Sequence, residues 1–161
     1  MTGSTNNPIS VSIIGGSGYT GAELMRIVSR HPHLKLVQVV ANRNAGKKIQ
    51  DIFPHLRHLN LPDFISFEKM IFEGLDLVFC ALPHATSQEI IVKIPEGIKI
   101  IDLSADFRLE RVEEYERWYG QKHIAPSLQE KSVYGLTEIY KEKIKKGSLI
   151  ACTGCNSAAT L

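Results

Sequence analysis

Between Ile9 and Leu24 a short apolar segment, Ile9-Ser-Val-Ser-Ile-Ile14, runs directly into Gly15-Gly-Ser-Gly-Tyr-Thr-Gly21 and then into a helical pattern carried by Ala22, Leu24, Ile27 and Val28. Glycines this closely spaced between a strand and a helix constrain the fold more than any other feature of the chain. Gly16, Gly18 and Gly21 fit G-x-G-x-x-G, and Gly15, Gly18 and Gly21 equally fit G-x-x-G-x-x-G. Lacking side chains, such a turn lets the backbone approach a pyrophosphate seated on the positive end of the helix. The same turn could serve only to pack a strand against a helix, so its place between the two elements is what points to a nucleotide.

The pattern repeats along the chain. His33 to Ala41 is rich in β-branched residues and reads as a second strand, residues 42–63 look irregular around Gly46, Pro54 and Pro62, and Phe64 to Phe67 reads as a short strand followed by a helical turn over Glu68 to Phe72. Leu75 to Leu82 is a buried strand ended by Pro83, Thr86 to Ile94 a helix, Lys99 to Leu103 a strand and Leu109 to Tyr119 an exposed helix. Thr137 to Lys146 is a helix and Ser148 to Cys152 a strand, and Thr153-Gly-Cys-Asn-Ser-Ala-Ala-Thr-Leu161 reads as a turn leading into a helix that is barely begun. Strands alternating with helices predict a doubly wound, mainly parallel α/β sheet, with ligands at the carboxyl ends of its strands.

Length and charge narrow the function. A chain of 161 residues buries one ordinary core, and 19 Lys and Arg against 17 Asp and Glu leave a net charge of +2, with no basic run dense enough to suggest nucleic acid as a partner. Lys141 to Lys146 reads as a solvated helix end. Residues 1–8 are polar and read as a disordered tail without a secretory pattern, and the apolar runs are too short for a bilayer, so a soluble cytoplasmic protein is expected. Three separated cysteines make no disulfide framework.

Several residues could carry chemistry. Cys155 follows a strand and precedes a helix, which would place its sulfur at a positive helix end as a nucleophile; a small cysteine filling space is the alternative. Cys152-Thr-Gly-Cys155 also spells C-x-x-C, but no second closely spaced Cys/His pair completes a zinc site, and no metal is expected. Cys80 lies inside an apolar strand and reads as core, and His31, His33, His55 and His58 read as surface or loop residues. About 20 residues past the glycines, where an NAD site presents an acid, stands Ala41-Asn42-Arg43; Arg43 could pair with a 2′-phosphate, favouring NADP, or be an exposed loop arginine. Leu82-Pro83-His84-Ala85 and Asp102-Leu-Ser-Ala-Asp-Phe-Arg108 follow strands at the predicted ligand edge, so Pro83 and Ser104 are taken as cofactor contacts, while Asp102 and Asp106 could equally be loop-stabilising acceptors.

Taken together, Gly15-Gly-Ser-Gly-Tyr-Thr-Gly-Ala-Glu-Leu24, Ala81-Leu-Pro-His-Ala-Thr86, Asp102-Leu-Ser-Ala-Asp-Phe-Arg-Leu109, Val133-Tyr-Gly-Leu-Thr-Glu138 and Gly154-Cys155 resemble, in the same order, the N-acetyl-γ-glutamyl-phosphate reductases of arginine biosynthesis, relatives of aspartate-semialdehyde dehydrogenase. The resemblance runs from about Ile9 to Cys155. It implies a Rossmann-type domain over residues 9–152, the start of a catalytic domain over 153–161, and a small-molecule acyl phosphate and NADPH as partners. In that family the cysteine matching Cys155 attacks the acyl phosphate, and NADPH reduces the resulting thioester to the semialdehyde. By resemblance, Gly15, Ser17, Gly18, Tyr19, Thr20 and Gly21 hold the NADP phosphates and Arg108 contacts a substrate carboxylate.

Two departures stand out. Asn156-Ser157-Ala158 replaces the usual Tyr-Pro-Thr, and Thr153 stands where proline is common; Asn after the cysteine is closer to the lysine-pathway reductases of carrier-linked aminoadipyl phosphate. Trp118-Tyr119-Gly120 and Ala125-Pro126 fit the arginine enzymes better. The family also continues into a substrate and dimerisation domain with a general-base histidine, and none of the six histidines here follows Cys155. The expectation is therefore an inactive fragment of a homo-oligomeric enzyme, with a non-catalytic dinucleotide-binding module as the alternative.

Overall fold

The computed structural model describes residues 7–160, so of the segment read as a tail only Asn7 and Pro8 are described. The chain resolves into two compact units, one ending at Leu77 and the other beginning at Val78.

In the first unit, β1 (Ile9–Ile14) and β2 (Leu34–Val40) pair in parallel, with a register irregularity between Val11 and Ser12, and β2 pairs in parallel with the two-residue β3 (Phe64–Ile65). Val11, Ser12, Ile13 and Ile14 are all buried, so β1 is covered on both faces, as a parallel strand between helices must be. Crossover from β1 to β2 runs through α1 (Tyr19–Val28), whose buried stripe is Gly21, Ala22, Met25 and Val28. Ile27, one of the residues that carry the helical pattern in the sequence, is 48% exposed, and 3.6-residue geometry puts Met25 on the buried stripe. The stretch read as irregular holds 3-10 turns at Asn42–Asn44 and Pro54–Leu56 and a short helix, α2 (Ile49–Ile52), which buries Ile49. The helical turn expected over Glu68 to Phe72 is a 3-10 turn at Phe67–Lys69.

The second unit carries β4 (Leu77–Cys80), β5 (Lys99–Asp102), β6 (Val133–Gly135) and β7 (Leu149–Cys152) in the order β4-β5-β7-β6, with β7 parallel to both β5 and β6. Its helices are α3 (Thr86–Ile91), α4 (Val112–Tyr119), α5 (Pro126–Lys131), α6 (Thr137–Lys146) and α7 (Cys155–Ala159). The helix expected to begin at Leu109 begins at Val112, and it is not wholly exposed, because Tyr115 is fully buried. Elements α5 and β6 carry no clear sequence signature, since Pro126 opens the helix and three half-buried residues make too short a strand to show a period. Among the described residues no helix is long and apolar enough to cross a membrane. Parallel strands joined by crossover helices make this a Rossmann-type α/β fold.

Candidate functional site

The glycine turn is built by its own sterics. Gly15 has φ +84°, a left-handed conformation glycine adopts without penalty, and the N–H groups of Gly15 and Gly16 both donate to Val40 O at 3.0 Å, tying the turn to the end of β2. A Cβ on Gly16 would stand 2.2 Å from Val39 Cγ1, and one on Gly21 would stand 2.6 Å from Gly16 Cα. Both glycine patterns in the sequence therefore apply, since Gly15 is required by its dihedral and Gly16 by crowding.

Gly18 is different. Its φ of −90° suits any residue, it is exposed, and a Cβ there would meet nothing nearer than Gly15 O at 3.9 Å. Nothing within the fold demands glycine at this position; a bulky group approaching the turn from outside would. Gly18 is also the N-cap of α1, where no side chain caps the helix and no acidic residue occupies the first turn. The first N–H groups of that ten-residue helix, with its dipole behind them, can receive an anion. Around it Ser17 is half-buried, Thr20 is exposed and Tyr19 is 96% exposed.

Arg43 lies in the 3-10 turn that follows β2, three residues past Val40. It is exposed, and among the described residues it has no ion-pair partner. The glycine turn and Arg43 thus share the carboxyl edge of β1 and β2.

In the second unit, the loops after β4 and β5 are held together by buried carboxylates. Asp102 accepts from Ser87 Oγ at 2.5 Å, from Ser104 Oγ at 2.6 Å and from Ser104 N at 3.2 Å. Burial pushes its carboxyl above the usual range, although the Ser104 and Ser87 hydroxyls act in the opposite sense. Asp106 accepts from the backbone N–H groups of Ala85 and Gln88. Of the two readings open for these acids, this geometry matches the loop-stabilising one. Ser104 is 2% exposed and its hydroxyl, besides donating to Asp102, accepts from Asp106 N at 3.0 Å. Pro83 and His84 are exposed on the facing loop.

Arg108 spends its guanidinium on backbone. Nε donates to Cys152 O at 2.8 Å and a terminal nitrogen to Leu103 O at 2.9 Å, bridging the ends of β7 and β5. The other terminal nitrogen would lie 3.3 Å from a Cβ on Gly154. Arg108 also lines a cavity of about 430 Å³ together with Gln129, Ser132, Tyr134, Tyr140 and Lys143. No sequence signal marks this cavity, because α5 and β6, which help shape it, are too short to show a period.

The three cysteines are free and differ in setting. Cys80 is fully buried, and burial pushes its thiol well up. Cys152 is half-buried, its thiol pushed up by burial against the opposing charge of Arg108. Cys155 opens α7 and is exposed, with its thiol 3.8 Å from Asn156 Oδ1. Among the described residues no group of three or more His, Cys, Asp or Glu could hold a metal ion.

The family described as semialdehyde dehydrogenase, NAD binding domain, matches residues 10–147. N-acetyl-gamma-glutamyl-phosphate reductase of Rhodobacter capsulatus is 53% identical over 149 residues, covering 92% of this chain and 44% of that protein. Its counterpart in Ruegeria pomeroyi is 51% identical over 148 residues, covering 92% and 43%. Among solved structures, aspartate semialdehyde dehydrogenase II of Vibrio cholerae has a TM-score of 0.67 at 15% identity, covering 96% of this chain and 44% of that one. Aspartate semialdehyde dehydrogenase of Candida albicans, solved with NADP, has a TM-score of 0.63 at 17% identity, covering 95% and 44%. The chain thus spans less than half the length of the curated relatives it matches, and the solved structures share its fold.

Proposed function

The chain belongs to the semialdehyde dehydrogenase NAD-binding domain family, and on that premise we propose that it is the cofactor-binding part of an NADP-dependent reductase of N-acetyl-glutamyl 5-phosphate, acting in arginine biosynthesis in the cytoplasm as a homo-oligomer. Residues 9–152 are its cofactor-binding domain and residues 153–161 open the catalytic one. In the first unit Gly15, Ser17, Gly18, Tyr19, Thr20 and Gly21 receive the cofactor phosphates at the N-terminus of α1, and Arg43 pairs with the 2′-phosphate. Pro83 is a further contact from the second unit, while Ser104, buried with its hydroxyl shared between Asp102 and the Asp106 N–H, shapes the loop after β5 rather than touching the cofactor; Arg108 faces the substrate with the nitrogen it does not spend on backbone carbonyls.

Cys155 is the nucleophile. Its thiolate attacks the acyl carbon, the carbon–oxygen bond to phosphate breaks, and inorganic phosphate leaves as a thioester forms on sulfur. NADPH, when bound, supplies the hydride that reduces such an acyl group to the aldehyde. Accepting that hydride and a proton, the thioester releases the semialdehyde and returns the thiol. One observation carries this reading: an uncapped glycine turn and an exposed thiol at the end of β7 stand in a chain about half identical to reductases of this name.

The test uses the chain extended through the remaining length its curated relatives possess. Cys155→Ser abolishes phosphate-dependent NADP reduction with the semialdehyde and leaves NADP binding intact, because a serine hydroxyl stays protonated without a strong base. Cys152→Ser keeps substantial activity. Equal damage from both substitutions would favour a C-x-x-C redox pair, and no effect from either would refute the thioester.

A further inference from the structure

Ala85 is the one non-glycine among the described residues with positive φ, +64°, and it lies in the loop between β4 and α3 that carries Pro83 and His84. A left-handed alanine persists only where its surroundings hold it. Those surroundings centre on Asp106, which is fully buried. Ala85 N donates to Asp106 Oδ1 at 2.8 Å and Gln88 N to Asp106 Oδ2 at 3.1 Å, so one carboxylate, distant in sequence, grips the loop and the first turn of α3. From the other direction, Ala105 N donates to His84 Nδ1 at 3.2 Å.

The carboxylate is itself held. The Tyr115 hydroxyl donates to Asp106 Oδ1 at 2.9 Å from a fully buried ring on α4, and Gln88 Nε2 donates to that hydroxyl oxygen at 3.2 Å. His123 Nε2 donates to the Asp106 carbonyl at 2.9 Å while its Nδ1 accepts from Ala125 N at 3.1 Å, which requires the neutral ring. Burial lowers the His123 pKa in agreement.

We propose that Asp106 is a positioning residue: its carboxylate, braced by Tyr115, locks Ala85 in the left-handed conformation and so sets the shape in which the Pro83–Thr86 loop meets the cofactor. The proposal rests on the reading of Pro83 as a cofactor contact. It differs from a purely structural role, because a substitution that restores the backbone conformation at residue 85 without the carboxylate restores binding.

The test titrates the 161-residue chain with NADP by calorimetry. Asp106→Asn replaces one acceptor with a donor, so one backbone N–H loses its partner; NADP affinity falls about tenfold. Tyr115→Phe, a milder change, shows a smaller loss. Adding Ala85→Gly to Asp106→Asn restores most of the NADP affinity, because glycine holds the left-handed conformation without the clamp. In parallel, amide exchange at Ala85 and Gln88 quickens in Asp106→Asn. Unchanged NADP affinity or no rescue by Ala85→Gly would each overturn the proposal. Absence of NADP binding by the wild-type chain would overturn the cofactor reading and the functional half of this one, and unchanged Ala85 exchange would overturn the clamp itself.

Discussion

Gly21 lies so close to Gly15 that a Cβ on the helix residue would stand 2.7 Å from the carbonyl oxygen of the turn residue. The first turn of α1 and the loop before it can meet only without that carbon, and the atoms nearest to it, Gly16 Cα and C and Gly15 O, are backbone, which cannot swing aside. Gly21→Ala therefore destabilises the chain by about 1–3 kcal/mol, the usual cost of overpacking a tight contact. Urea unfolding measures this as a lower midpoint with an unchanged slope; an unchanged midpoint would show that the turn can yield.

Arg43 is exposed at the carboxyl edge of β2, so it contributes little to the fold. Arg43→Ala weakens NADP binding about tenfold, the scale of one charge-assisted contact, and changes NAD binding less than about twofold, because NAD lacks the 2′-phosphate. Parallel titrations with the two nucleotides decide it, and equal losses would remove Arg43 from the site.

Asp102 supplies a pH dependence. Burial raises its carboxyl above the ordinary value, so between the unfolded and folded pKa values the folded chain binds more protons than the unfolded chain. Its contribution is complete below the unfolded pKa and is lost as pH rises through the folded one. Asp102→Asn removes that dependence, and the hydroxyls of Ser87 and Ser104 can turn to accept from the new amide. Urea midpoints taken from about pH 3 to about pH 7 rise for the variant relative to wild type as pH increases. Parallel curves would show that Asp102 does not titrate differently on folding.

The parts of the molecule legible in the sequence are those with a local signature. Gly15 to Gly21 stand between an apolar strand and a helix, and Cys80 sits in an apolar run; each needs only its neighbours in sequence to be read. Asp106 does not. Its partners Ala85, Gln88 and Tyr115 are brought to it by folding, with a separation of 21 residues to Ala85, and no period or spacing announces a buried carboxylate that grips a distant loop. Arg108 shows the same limit, since its bond to Cys152 O spans 44 residues. Which apolar face of α1 turns inward is likewise not local: packing buries Met25 and leaves Ile27 exposed.

Gly18 tests the cofactor reading most directly, because it is the glycine of the turn that the fold does not need. A Cβ there has 3.9 Å of clearance from Gly15 O and a permissive φ of −90°, so Gly18→Ala leaves the chain folded, with a urea midpoint within about 1 kcal/mol of wild type, N-cap preference being the chief term. On the proposed reading, that same methyl enters the space through which a pyrophosphate approaches the first N–H groups of α1. The account predicts that titration of Gly18→Ala with NADP shows affinity at least about tenfold weaker than wild type in a chain of near-native stability; NADP bound as tightly as by wild type would contradict it.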